Sequence, residues 1–126
     1  MGKIPERVHF LGYAPDEYLP ALYSGALVFT YMSLYEGFGL PPLEAMACGV
    51  PVITGNQSSL PEVIGNAGLM VDPFTVREIA ASIEKIVNDD GLRQSLSAKG
   101  LIRSTNFSWE NASAATIRIL QEVAAA

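Results

Sequence analysis

Four short runs rich in β-branched and aromatic residues, at 7–11, 26–31, 51–54 and 68–71, read as strands, and each is followed by a segment of helical texture. This alternation constrains the fold more than any other feature. A strand that returns to its sheet through a helix re-enters in the same direction, so the pattern implies a parallel sheet with right-handed crossovers. The expected architecture is α/β, a parallel sheet of about four strands with flanking helices.

The helices follow from local signals. Residues 15–24 carry Asp16 and Glu17 in a first turn, where acids suit the positive end of the helix dipole, and Leu19, Leu22 and Tyr23 supply an apolar face. Residues 40–48 open on Pro41 and Pro42 and are closed by Gly49. A shorter helix is expected at 60–64, with Glu62 in its first turn. Beyond Asp72, Ile79, Ile83, Ile86 and Val87 recur at helical spacing within 75–88, and 92–105 and 109–125 continue helical. The C-terminal third is thus expected to be all helix, with Ser108 capping the last element and Trp109 packed at its start.

Length and charge narrow the function. A chain of 126 residues with 49% hydrophobic content can close one core. Two α/β domains of ordinary size together need more than ~200 residues, so residues 1–126 are read as a single domain. A formal charge of −5 supplies no positive field for nucleic acid or an anionic membrane. The apolar run at 26–32 is far below the ~18 residues needed to span a bilayer, and residues 1–6 lack signal-peptide character, so a cytoplasmic location is expected. One cysteine, Cys48, and one histidine, His9, exclude an internal disulfide and argue against a protein metal site. Both are read as structural.

The chemistry is concentrated in residues 33–44, Ser-Leu-Tyr-Glu-Gly-Phe-Gly-Leu-Pro-Pro-Leu-Glu, where an apolar strand runs into a glycine-bearing turn and then a helix. In a parallel sheet, ligands bind beyond the carboxyl ends of the strands, where helix N-termini present free N–H groups to anions. Gly37 and Gly39 lack a Cβ, so a phosphate can approach the backbone there. Pro41 and Pro42 have no N–H, which leaves the amides of Gly37, Phe38, Gly39 and Leu40 to face a ligand. Glu36 lies on the turn, and Glu44 sits about one turn into the helix with its side chain tilted back toward the same place. Carboxylates repel phosphates but accept hydrogen bonds from sugar hydroxyls, each worth ~1.5–3 kcal/mol. A ligand that carries both groups is a nucleotide sugar. Spacing alone favours two ordinary surface acids beside a tight turn, because Gly-x-Gly before a helix is a weak signal.

Residues 36–44 closely resemble the E-x7-E motif of the family 4 glycosyltransferases, and the resemblance continues through Ala45-Met46-Ala47-Cys48-Gly49-Val50-Pro51-Val52-Ile53. It extends from residues 7–12 through 60–63 and 68–73 to 107–109, nearly the whole chain. The resemblance implies a partial, Rossmann-like C-terminal domain of a two-domain GT-B enzyme that is retaining and metal-independent. The implied donor substrate is a nucleotide diphosphate sugar, with no cofactor. It further implies that Glu36 sits by the donor sugar as a catalytic residue, that Glu44 binds the ribose hydroxyls, and that the amides of Gly37, Phe38, Gly39 and Leu40 touch the phosphates or sugar. Tyr13, in the loop 12–14, matches the part of the family near the nucleotide base, although it reads more readily as a half-buried turn residue. The sugar would pass to an acceptor held by an N-terminal domain outside this sequence, so this chain alone is expected to be inactive. Alternatives are a non-catalytic nucleotide-sugar-binding module and one half of a split enzyme that joins a partner chain.

The charge distribution agrees with an incomplete site. Lys3 and Arg7 precede, and Arg77, Lys85, Arg93, Lys99, Arg103 and Arg118 follow, a window from Val8 to Val76 without a cation but with Asp16, Glu17, Glu36, Glu44, Glu62 and Asp72. A helix N-terminus contributes only ~0.3–1 kcal/mol toward an anion, little for a departing diphosphate. In the family, an Arg and a Lys from a preceding segment serve this role. The family strand order 3-2-1-4-5-6 would place the run 7–11 at the third strand and leave it without its neighbours. An uncovered edge invites pairing, so either the first two runs pair with each other or a homo-oligomer covers the gap.

Overall fold

Three of the four expected strands form, and the central one is buried on both faces. They are β1 (Phe29–Tyr31), β2 (Val52–Gly55) and β3 (Leu69–Val71), parallel throughout and ordered β1-β2-β3. The computed structural model describes residues 6–126, so Lys3 and most of the segment read for leader character lie outside the described residues. The helices are α1 (Leu19–Ser24), preceded by one 3-10 turn (Asp16–Tyr18), α2 (Leu40–Ala47), α3 (Leu60–Ile64), α4 (Val76–Asn88), α5 (Asp90–Ser104) and α6 (Trp109–Ala125).

Every residue of β2 is buried, and its alternation feeds two cores. Val52 packs with Ala45 and Met46 of α2 and with Val63 and Ile64 of α3. Ile53 points the other way, to Val71, Ile86 of α4 and Leu96 of α5. A strand covered on both faces is the ordinary condition of a parallel sheet, which is why 51–54 reads as a continuous apolar run rather than an alternating one. Cys48 packs against the first core as expected. Thr54 is the exception in chemistry: it is fully buried, and its hydroxyl has no partner among the described residues.

Two expectations fail. Residues 7–11 are not a strand but an exposed, irregular segment, with Phe10 80% exposed. A strand is held by its ladder, and no strand among the described residues pairs with this run, so neither β propensity nor alternation can hold it. Pairing with β1, one of the two alternatives for this run, does not occur; among the described residues the sheet has three strands rather than about four, and His9 is exposed. Trp109 does not pack either. It is 85% exposed, because α6 buries none of its residues and leaves Ile117, Leu120 and Val123 open as well. The Ser108 cap does form, its hydroxyl accepting from the Asn111 amide at 3.1 Å. A local hydrogen bond needs no tertiary partner.

Candidate functional site

The turn 32–39 leaves the carboxyl end of β1 and enters α2 through Gly39, whose φ of 102° and ψ of 49° are open to glycine and strained for other residues. A Cβ at Gly39 would lie 2.8 Å from Leu60 Cδ2, the tip of a fully buried side chain that would have to shift. At Gly37, by contrast, a Cβ would meet nothing within 4 Å, and the backbone there borders open space. The amides of Gly37, Phe38, Gly39 and Leu40 make no backbone hydrogen bond among the described residues, and Pro41 and Pro42 follow without donors. The structure therefore presents a short row of unengaged N–H groups at the start of α2.

Glu36 and Glu44 flank that row, and each is held by a tyrosine. Tyr31, the last residue of β1, donates its hydroxyl to Glu36 Oε1 at 2.5 Å, and Tyr23 of α1 donates to Glu44 Oε2 at 3.2 Å. The two tyrosines are joined through Phe29, which meets Tyr23 edge-on at 5.2 Å and stacks on Tyr31 at 6.1 Å between ring centroids. Aromatic rings so arranged form a rigid rail along β1. Glu44 also lines a shallow cleft of about 400 Å³ with Asp16, Leu19, Pro20, Tyr23, Ala47 and Cys48.

The electrostatics follow from these contacts. The Tyr31 hydroxyl, and after it Ser33, hold the Glu36 carboxyl below its usual range against a smaller opposing effect of desolvation. Its hydrogen bond with Glu36, aided by desolvation and the carboxylate charge, pushes Tyr31 up to about 12. Burial, then the Glu44 charge and hydrogen bond, pushes Tyr23 up to about 12 as well. For Glu36, whose folded value lies below its unfolded one, the contact stabilises the fold above the ordinary carboxylate range and is lost as pH falls through the folded value. For Tyr31 the sign reverses: the stabilisation is complete below pH 10.0 and is lost as pH rises through about 12. Tyr31→Phe is expected to move the Glu36 titration midpoint upward toward an ordinary carboxylate value, read by carboxyl-carbon NMR against pH. An unmoved midpoint would show that the hydroxyl does not hold Glu36.

Other residues singled out in the sequence lie apart. Tyr13 is 87% exposed and lines a different cleft, with Leu11, Ala14, Pro15, Tyr18, Ala21 and Leu22, that shares no lining residue with the cleft at Glu44. Glu62 stands in the first turn of α3 and serves the fold through its carbonyl, which accepts from Arg103 together with that of Val63. Arg103 also lies over the Phe107 ring, which meets Phe38 edge-on at 5.8 Å. Folding thus brings one cation to the rear of the turn, but its guanidinium donates to α3 carbonyls.

The sequence reading gave no part in the site to Tyr23, which it placed on an apolar helix face, or to Tyr31, Ser58, Ser59 and Phe107. Tyr31 carried a usable signal, since it follows Phe29 by two and so shares its face of the strand. Ser59 stands at the N-cap position of α3, but its hydroxyl donates instead to the Phe38 carbonyl at 2.7 Å.

Comparison with known proteins supplies the remaining information. The sequence model of a family described as Glycosyl transferases group 1 matches residues 3–103. An O-antigen chain mannosyltransferase B from Escherichia coli is 54% identical over 110 residues, 87% of this chain and 29% of that protein. A sucrose-phosphate synthase structure from Thermosynechococcus elongatus superposes with a TM-score of 0.85 at 34% identity, over 95% of this chain and 31% of that one. The C-terminal domain of a glycosyl transferase group 1 family protein from Francisella tularensis superposes with a TM-score of 0.67 at 31% identity, over 79% of this chain and 51% of that one. The chain thus spans about a third of the length of the first two proteins.

Proposed function

This chain belongs to the group 1 glycosyl transferases, and we propose that it forms the sugar-donor side of a retaining, metal-independent transferase of family 4 type, in the C-terminal domain of a GT-B enzyme. The observation that carries this reading is the row of free amides from Gly37 to Leu40 bracketed by two tyrosine-held carboxylates. The amides suit phosphate oxygens, Glu44 suits the ribose hydroxyls, and Glu36 suits the donor sugar at the reaction centre. Mannose is the sugar we assign, on the likeness to the mannosyltransferase. Metal independence rests on the absence of any Asp-x-Asp pair from the sequence. The cations that would neutralise the leaving diphosphate, and the acceptor site, belong to other segments of such an enzyme. The full transfer is therefore proposed only for the chain joined to them, in the cytoplasm.

An amide NMR titration of this chain with UDP, GDP and ADP and with their sugar conjugates tests the reading. Shifts should cluster at Gly37, Phe38, Gly39 and Leu40 and identify the base. Glu44→Ala removes a charge-assisted hydrogen bond of ~1.5–3 kcal/mol and should weaken binding by about ten- to a hundredfold. Shifts scattered over the surface, or an unaffected Glu44→Ala variant, would sink it.

A further inference from the structure

Ser58 is the only non-glycine residue with positive φ among the described residues, at 59°. Glycine adopts that conformation freely, whereas a serine there is strained. What the serine adds is its hydroxyl, which contacts both polar groups of the Glu36 backbone: it donates to the Glu36 carbonyl at 2.6 Å and accepts from the Glu36 amide at 3.2 Å. Ser59 continues the clamp by donating to the Phe38 carbonyl at 2.7 Å, with the Glu36 carbonyl at 3.2 Å, although its position invites it to cap α3. Two adjacent hydroxyls from the β2–α3 connection thus grip the turn at Glu36 and Phe38, on either side of Gly37, where the backbone borders open space.

We propose that Ser58 is a positioning residue for the donor: by holding both backbone groups of Glu36, it sets the direction of the Glu36 carboxylate and of the amides that follow toward the nucleotide sugar. The inference rests on the donor-binding reading above and adds to it a residue that acts through Glu36. A bent backbone held by side-chain hydrogen bonds is a common way to fix a binding turn without regular secondary structure. Among the described hydrogen bonds only Ser59 also reaches the Glu36 backbone, at its carbonyl, so the Glu36 amide has no partner besides Ser58.

Ser58→Gly separates positioning from folding. Glycine relieves the positive φ and removes the hydroxyl, so the urea midpoint should hold or rise while affinity for the best of UDP-glucose, GDP-mannose and ADP-glucose falls about tenfold. Amide exchange at Glu36 should quicken in the free protein. Ser58→Ala, which keeps the strain and loses the hydroxyl, should lose both stability and affinity. Unchanged affinity in Ser58→Gly, when the unaltered chain binds, overturns the proposal and leaves the donor reading standing. If the unaltered chain binds none of the three, the donor reading fails and this proposal falls with it.

Discussion

Ile53→Ala is expected to destabilise the chain by ~2–5 kcal/mol, the range for removing a large aliphatic side chain from a core that cannot collapse. Ile53 is fully buried in the middle of β2, opposite Thr30 of β1 and Leu69 of β3 in the ladder, and its side chain is enclosed by Val71, Ile86 and Leu96. The strand cannot move into the space, because Val52 and Thr54 are packed on the opposite face. Nor can α4 approach alone, since it packs together with α5 over the same cluster. Urea unfolding should show a lower midpoint with an unchanged m-value, and Ile53→Val should cost only ~0.5–1.5 kcal/mol. A loss below ~1 kcal/mol for the alanine variant would contradict tight docking of α4 and α5 on the sheet.

Gly39→Ala is expected to damage stability and donor binding together. Two effects add. A Cβ-bearing residue at φ 102° lies beyond even the left-handed region and costs ~1–3 kcal/mol, and the new Cβ would sit 2.8 Å from Leu60 Cδ2. Leu60 is fully buried at the start of α3, so its tip has little space to yield, and overpacking adds ~1–3 kcal/mol. Rotation of the Gly39 peptide to relieve the strain would re-aim the Gly39 and Leu40 amides, which the donor reading assigns to the ligand. A variant with a lower urea midpoint and no nucleotide-sugar shifts at 37–40 fits this account. One that keeps both would show that the conformation at Gly39 is not required. Ser58→Gly should retain stability and lose affinity, so the pair distinguishes a residue that builds the turn from one that aims it.

Much of the candidate site's local geometry was legible in the sequence because its signals are local. Glycines next to prolines at a strand-to-helix junction fix which amides lack partners, and this depends on only a few consecutive residues. Glu36 and Glu44 were legible for the same reason, from their places on a turn and in a helix. The partners that hold them were not: Tyr23 reaches Glu44 across 21 positions, and Ser58 reaches Glu36 across 22. No composition or periodicity near either serine signals a bond to another loop, and a serine preceding a helix is more simply read as a cap.

The same division runs through the fold. The succession of strands and helices, the bounds of α3 and α6 and the Ser108 cap were readable from the chain, since propensity, capping and periodicity are properties of neighbouring residues. Residues 7–11 and Trp109 went the other way, although their local texture was as persuasive. A strand exists only with a ladder partner, and an apolar side chain is buried only if another surface covers it. Those conditions are met or missed in three dimensions: β2 finds neighbours on both sides and both faces, whereas the 7–11 segment and the apolar side of α6 find none among the described residues.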